Sequence, residues 1–151
     1  PASQQPLRAQ LALDPVSSDN IWLFHKTTNR TVYEEARASR PEADEVILWN
    51  EAGEVTEGTI SNLVLDLDGV LVTPPVTCGL LNGTFRQHLL QKEQIREKRI
   101  SVDDLYRCRK VYLINSVRHW QEAEIIETQQ GYTESHREDT EIQRAFGTED
   151  N

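Results

Sequence analysis

Four short stretches of the sequence carry residue types that can do chemistry. Lys26 directly follows an apolar run, Ile21-Trp22-Leu23-Phe24, and His25. An amine held at the mouth of a core is desolvated, loses basicity and becomes a nucleophile. Taken alone, Lys26 reads as an ordinary lysine with its ammonium in water. Glu57 is followed by Gly58 and Thr59-Ile60-Ser61-Asn62. An acid at the end of a buried strand can meet a protonated ring nitrogen of a ligand; on the plainer reading it is a turn residue of a hairpin-rich region. Gly83-Thr84-Phe85-Arg86 is a glycine-bearing loop opening onto a helix. It presents free backbone N–H groups at the positive end of the helix dipole, a ready anion site to which Thr84 adds a hydroxyl. The alternative is a plain helix start capped by Asn82. Asn115-Ser116-Val117-Arg118 ends an apolar strand in small polar residues, either a second set of donors or a polar loop.

Other chemistries find no support. The four histidines, His25, His88, His119 and His136, show no paired metal-ligand spacing. No G-x-S-x-G supports a serine triad, and neither G-x-G-x-x-G nor a Walker loop is present. The chain has 151 residues, about one domain's worth, with 25 acidic and 16 basic residues and a formal charge of −9. Such a balance repels nucleic-acid backbones and anionic membrane surfaces, so a small-molecule partner is expected, with no nucleic acid and no membrane. No apolar run approaches the roughly 18–20 residues of a membrane span, and no stretch has signal-peptide order. Cys78 and Cys108 form neither a disulfide framework nor a metal pair, so a reducing, cytoplasmic setting is the expectation. Methionine is absent and the chain opens at Pro1, which predicts a removed initiator or a piece of something longer.

The elements that must position these residues follow from pattern. Residues 1–20, with three prolines and a polar end, read as a linker or arm without a core of its own. A helix is predicted over 27–39, with Val32, Tyr33 and Ala36 on one side. Val46-Ile47-Leu48-Trp49 reads as a strand buried on both faces, and Asn50-Glu51-Ala52-Gly53 as a hairpin turn. Leu63–Leu67 is a further strand. Asp68-Gly69 is the strongest hairpin signal, pairing Val70-Leu71-Val72 back until Pro74-Pro75 stops it. A helix is predicted over 84–98 and a short one at 103–107 with Ser101 as its N-cap. Val111–Ile114 is a strand, after which the chain returns through Arg118 to Ile126. Residues 127–151 hold few apolar side chains and read as a polar, mobile tail.

In order, His25-Lys26-Thr27-Thr28-Asn29-Arg30 with Tyr33, Glu45-Val46-Ile47-Leu48-Trp49-Asn50-Glu51, Gly53-Glu54-Val55-Thr56-Glu57-Gly58 with Ser61-Asn62-Leu63, Thr73-Pro74-Pro75, Gly79 to Arg86, and Asn115-Ser116-Val117-Arg118 resemble the class IV aminotransferases. These are pyridoxal-phosphate enzymes of the D-amino-acid and branched-chain aminotransferase fold. The His-Lys-Thr-Thr-x-Arg opening looks most like the 4-amino-4-deoxychorismate lyase branch. The resemblance covers roughly residues 21–126 and implies the larger, C-terminal domain of a two-domain protein. It implies a mixed α/β fold with a largely antiparallel, barrel-like sheet flanked by helices.

By this resemblance the cofactor is pyridoxal 5'-phosphate and Lys26 is the catalytic lysine that joins it as a Schiff base. Glu57 would keep the pyridine nitrogen protonated, so that the ring serves as an electron sink. Tyr33 would lie near the cofactor's phenolic oxygen. Leu81, Gly83, Thr84 and Phe85 would form one wall of a phosphate cup and Ser116 the other, with Val117 and Arg118 reaching toward the substrate. A lyase of this branch eliminates pyruvate and gives 4-aminobenzoate for folate synthesis; an aminotransferase would hand the amine to a keto acid, and a remnant without the N-terminal domain would not catalyse. A homodimer, or a partner supplying the missing N-terminal domain, is implied. Where the lyases often carry a glycine after Asn-Ser-x-Arg, this chain has His119-Trp120, which predicts a narrowed or blocked substrate side.

Overall fold

A computed structural model describes residues 5–19 and 30–126. In chain order the elements are β1 (Leu7–Leu11), α1 (Thr31–Ser39), β2 (Glu45–Trp49), β3 (Val55–Gly58), β4 (Asn62–Leu67), β5 (Val70–Thr73), α2 (Thr84–Gln91), β6 (Arg96–Glu97), α3 (Val102–Arg107), β7 (Lys110–Asn115) and β8 (His119–Ile125). The sheet runs β3-β2-β1-β8-β7-β4-β5-β6, and β3 also pairs with β4. That extra pairing closes β1, β2, β3, β4, β7 and β8 into a six-stranded barrel, leaving β5 and β6 as an extension. Closure rests on the single pair Glu57↔Asn62. The barrel is mixed: β1 runs parallel to both β2 and β8, and the other pairs of the ring are antiparallel.

Period-2 alternation assigns the two faces. On β4, Leu63 and Leu65 belong to the main core with Ile47, Leu113 and Ile100, whereas Val64 joins a second cluster with Ile114, Leu89 and Ile95. The main core fills the barrel; the second cluster lies under α2, which packs on β7. α1 covers β2 with Tyr33 and Ala36 buried, which explains why every residue of β2 is buried.

Several local expectations hold. Asp68 and Gly69 take φ of +55° and +87°, as the tight β4–β5 turn requires. Ser101 caps α3 through a reciprocal pair: its hydroxyl accepts from the Asp104 N–H, while Asp104 accepts from the Ser101 N–H.

Two readings are corrected. Residues 1–20 do not form only an arm: Leu7–Leu11 is a barrel strand that buries Ala9 and Leu11, held by ladders to β2 and β8 that no local pattern in Leu-Arg-Ala-Gln-Leu announces. The helix expected over 84–98 ends at Gln91. Glu93 turns left-handed at φ +58°, the Gln94 N–H donates to the Leu89 carbonyl and the Glu93 N–H to that of Leu90. This Schellman-type ending drops Ile95 against Leu89 and frees Arg96–Glu97 to pair with β5. The tail over 127–151 lies outside the described residues.

Candidate functional site

A cavity of about 750 Å³ opens where the second-cluster face of β4 and β7 runs out into polar residues. Its walls come from α1 and the residue before it (Tyr33, Arg30), β3 and the β3–β4 loop (Glu57 to Asn62), the start of α2 (Leu81 to Phe85), and the end of β7 (Ile114, Asn115, Ser116). The volume lies within the usual range for small-molecule sites.

Glu57 is the buried acid of this cavity, at 3 % exposure. The closing pair with Asn62 sets it on the cavity face of the sheet. A register shift in the β2–β3 ladder between Leu48 and Trp49 lies beside its partner Leu48. Its carboxyl accepts the Tyr33 hydroxyl at 2.8 Å and the Leu81 N–H at 3.2 Å. Burial pushes its pKa up from 4.5 to about 8, against the lowering effect of these two hydrogen bonds. The Tyr33 hydroxyl is pushed well above the usual tyrosine range by burial and by the neighbouring Glu57. Tyr33, expected near a cofactor oxygen, thus lies on Glu57, with the Arg30 guanidinium 5.7 Å from its ring centre.

The loop after β3 is organised by Glu45. This buried carboxylate accepts from the backbone N–H of Val46, Thr59 and Ile60, from the hydroxyls of Thr59 and Ser61, and from Arg37 Nη1. A Cβ on Gly58 would press on Ser61 Oγ and, at 2.7 Å, on Glu45 Oε2, so a side chain there would have to displace the groups bonded around Glu45. Glu45, Thr59, Ser61 and Arg30 stand in the quoted motifs without an assigned role; the one signal for Glu45 was an acid at the head of an otherwise apolar strand.

The wall opposite is the start of α2. Gly83 occupies the cap position and among the described residues no side chain caps the helix, because Asn82 instead accepts from Arg86 Nη1 at 2.8 Å. The reading of a helix start capped by Asn82 therefore falls, and the first-turn N–H groups have no side-chain acceptor among the described residues. A Cβ on Gly83 would collide with Asn62 Oδ1, so a side chain there would push Asn62 from its bond to the Leu81 carbonyl. Arg86 itself is buried; its Nη2 donates to the Pro74 carbonyl at 2.9 Å and to Glu97 at 2.5 Å, which braces the loop from beneath.

Of the predicted site residues, the structure brings together Tyr33, Glu57, Leu81, Gly83, Thr84, Phe85 and Ser116 around one cavity. Lys26 lies outside the described residues. Val117 and Arg118, expected to reach toward a substrate, are not among the described residues that line the cavity, and Val117 is 86 % exposed. Asn115 Oδ1 accepts both of their backbone N–H groups, which curls the turn so that it stands out from the site. His119 and Trp120, expected to narrow the substrate side, are not among the described residues that line this cavity. His119 stacks on Phe85 with ring centres 4.6 Å apart and planes 12° from parallel.

Among the described residues, a closed mixed barrel sets a buried carboxyl and a helix start without a side-chain cap around one cavity. The sequence pattern of the class IV amino-transferases matches residues 1–126, and the chain belongs to that family, whose members include pyridoxal-phosphate-dependent aminotransferases and lyases. The chain is 39 % identical over 121 residues to a "Putative aminodeoxychorismate lyase" of Schizosaccharomyces pombe, covering 75 % of this chain and 52 % of that protein. It resembles the crystal structure of a "Putative amino-acid aminotransferase" from Mesorhizobium loti (40 % identity, TM-score 0.75, 82 % of this chain and 61 % of that one). It also resembles the branched-chain amino acid aminotransferase from Escherichia coli (26 % identity, TM-score 0.68, 81 % and 45 %). The chain spans between about a third and a half of the length of the curated relatives it matches. Among the described residues no helix is long and apolar enough to cross a membrane.

The donor set fits pyridoxal 5'-phosphate. A carboxyl that keeps its proton near neutrality suits a pyridine nitrogen, and an uncapped helix start beside Thr84 and Ser116 suits a phosphate dianion.

Proposed function

We propose that this chain supplies the main part of a pyridoxal-phosphate site for a lyase that releases pyruvate from 4-amino-4-deoxychorismate and yields 4-aminobenzoate for folate synthesis. The observation that carries the reading is Glu57: a buried carboxyl with a pKa near 8 at the floor of a donor-rimmed cavity. The 39 % identity to the fission-yeast protein supports the lyase branch.

The cofactor, when bound, acts as an electron sink for the substrate's electrons. In this reading Glu57 holds the shared proton at the ring nitrogen. Tyr33 orients Glu57 through its hydroxyl, and the backbone of Leu81 fixes the other carboxyl oxygen. Gly83, Thr84 and Phe85 on one wall and Ser116 on the other grip the phosphate. Lys26 would anchor the cofactor and would supply the group that moves a proton as base and as acid. A smaller N-terminal domain completes the substrate pocket, either from the rest of a longer polypeptide or from a separate partner, and the protein works as a cytoplasmic homodimer. A second reading, an aminotransferase of small amino acids, is favoured by the 40 % identity to the Mesorhizobium protein.

Titration of the purified chain with pyridoxal 5'-phosphate tests the site. A visible absorption band that Lys26→Ala abolishes is the expected result, and no band at saturating cofactor overturns the reading for this chain. Product formed without any keto acid separates lyase from aminotransferase.

A further inference from the structure

The two walls of the proposed phosphate cup belong to different elements, α2 and the β7–β8 turn. Among the described residues no hydrogen bond joins residues 83–86 to residues 115–119. What ties them is ring packing. Phe85, in the first turn of α2, lies almost parallel to His119, 4.6 Å away. The edge of Trp120 meets Phe85 at 6.4 Å and Tyr112 at 5.3 Å. His88 continues the near-parallel series on Phe85 at 6.3 Å and 19°. These separations fall in the attractive range for aromatic rings.

His119 holds this place at φ +62°, a left-handed backbone that favours glycine. It pairs with Asn115 to close the hairpin that carries Ser116. On the other flank, Asn115 Nδ2 donates to the Ile60 carbonyl at 3.2 Å, which fastens the turn to the loop organised by Glu45. The turn is therefore pinned twice, once to the floor of the cavity and once, through His119, to the helix start.

We propose that His119 is a positioning residue: stacked on Phe85, it fixes the gap between the uncapped start of α2 and Ser116 so that both converge on one phosphate dianion. The proposal rests on the cofactor reading above. It also gives the bulky residue at this position a role outside the substrate space.

Equilibrium dialysis of the full chain against pyridoxal 5'-phosphate and against pyridoxal isolates the anion grip as the ratio of the two affinities. His119→Gly is compatible with the backbone at φ +62°. It is expected to lower the preference for the phosphorylated form about tenfold, the scale of one aromatic stack, with pyridoxal affinity unchanged. Phe85→Leu should lower it similarly, and the double variant should add little to either. A lower melting temperature with an unchanged ratio in His119→Gly is the signature of a merely structural stack and overturns the proposal alone. A wild-type chain with no preference for the phosphorylated form overturns the cofactor reading, and this proposal with it.

Discussion

Two buried glutamates stand on neighbouring strands and are treated oppositely. Glu45, at the head of β2, accepts from six donors drawn from Arg37, Val46 and the loop 59–61. Among the described residues Glu57, on β3, accepts from two, and burial rather than partnership dominates its protonation. Burial alone does not separate them, since they are 2 % and 3 % exposed. The difference is in what surrounds the carboxyl. A carboxyl saturated with donors is a fastener, fixed in geometry. One left short of donors at a cavity keeps its proton and stays ready to share it with a ligand.

The largest expected effect falls on the fastener. Glu45→Ala orphans several buried donors at once and should cost about 3 kcal/mol of stability in urea unfolding. A loss below about 1 kcal/mol would mean that water replaces the carboxylate and that Glu45 is no fastener.

Glu57→Gln should do the reverse, gaining stability at pH 7 while lowering turnover of the cofactor-loaded protein on the order of a hundredfold. The pH dependence sharpens this. Below pH 4.5 the carboxyl is protonated in both folded and unfolded chains, and Glu57 leaves stability unaffected. Between 4.5 and about 8 the unfolded chain has released a proton that the folded chain keeps, so stability falls as pH rises, and above about 8 the fall ends. Unfolding free energies across this window should show the decline in wild type and its loss in Glu57→Gln. An unaltered profile would remove the contrast with Glu45.

The smallest effect belongs to the link between the site and α1. Tyr33→Phe removes one hydrogen bond that lowers the Glu57 pKa, at about 1 kcal/mol. The same unfolding series should place the end of the pH-dependent decline at a higher pH than in wild type.

The parts of this arrangement that sequence reading reached are those with local causes. Strands β2, β4 and β7 are apolar runs, the β4–β5 turn has Asp68-Gly69, and α3 has a cap at Ser101. The residues expected around a cofactor came from the order of motifs, and the cavity gathers most of them. What escaped has non-local causes. Leu-Arg-Ala-Gln-Leu becomes a strand only because β2 and β8 leave a gap for it. The apolar Ile95 extended the reading of α2, although it packs from beyond the helix end. Glu45 is visible as a letter in a motif, but its six donors lie one to sixteen residues away and meet only in the fold.

The insertion of β1 has a kinetic consequence. Its neighbours are residues 45–47 on one side and 123–125 on the other, so the docking of β1 on β8 joins stretches more than a hundred positions apart. Contacts of such high order form late and slowly, because loop entropy is lost before the ladder compensates. Until β1 docks, β2 and β8 each expose an unsatisfied edge, the geometry through which folding intermediates associate with one another.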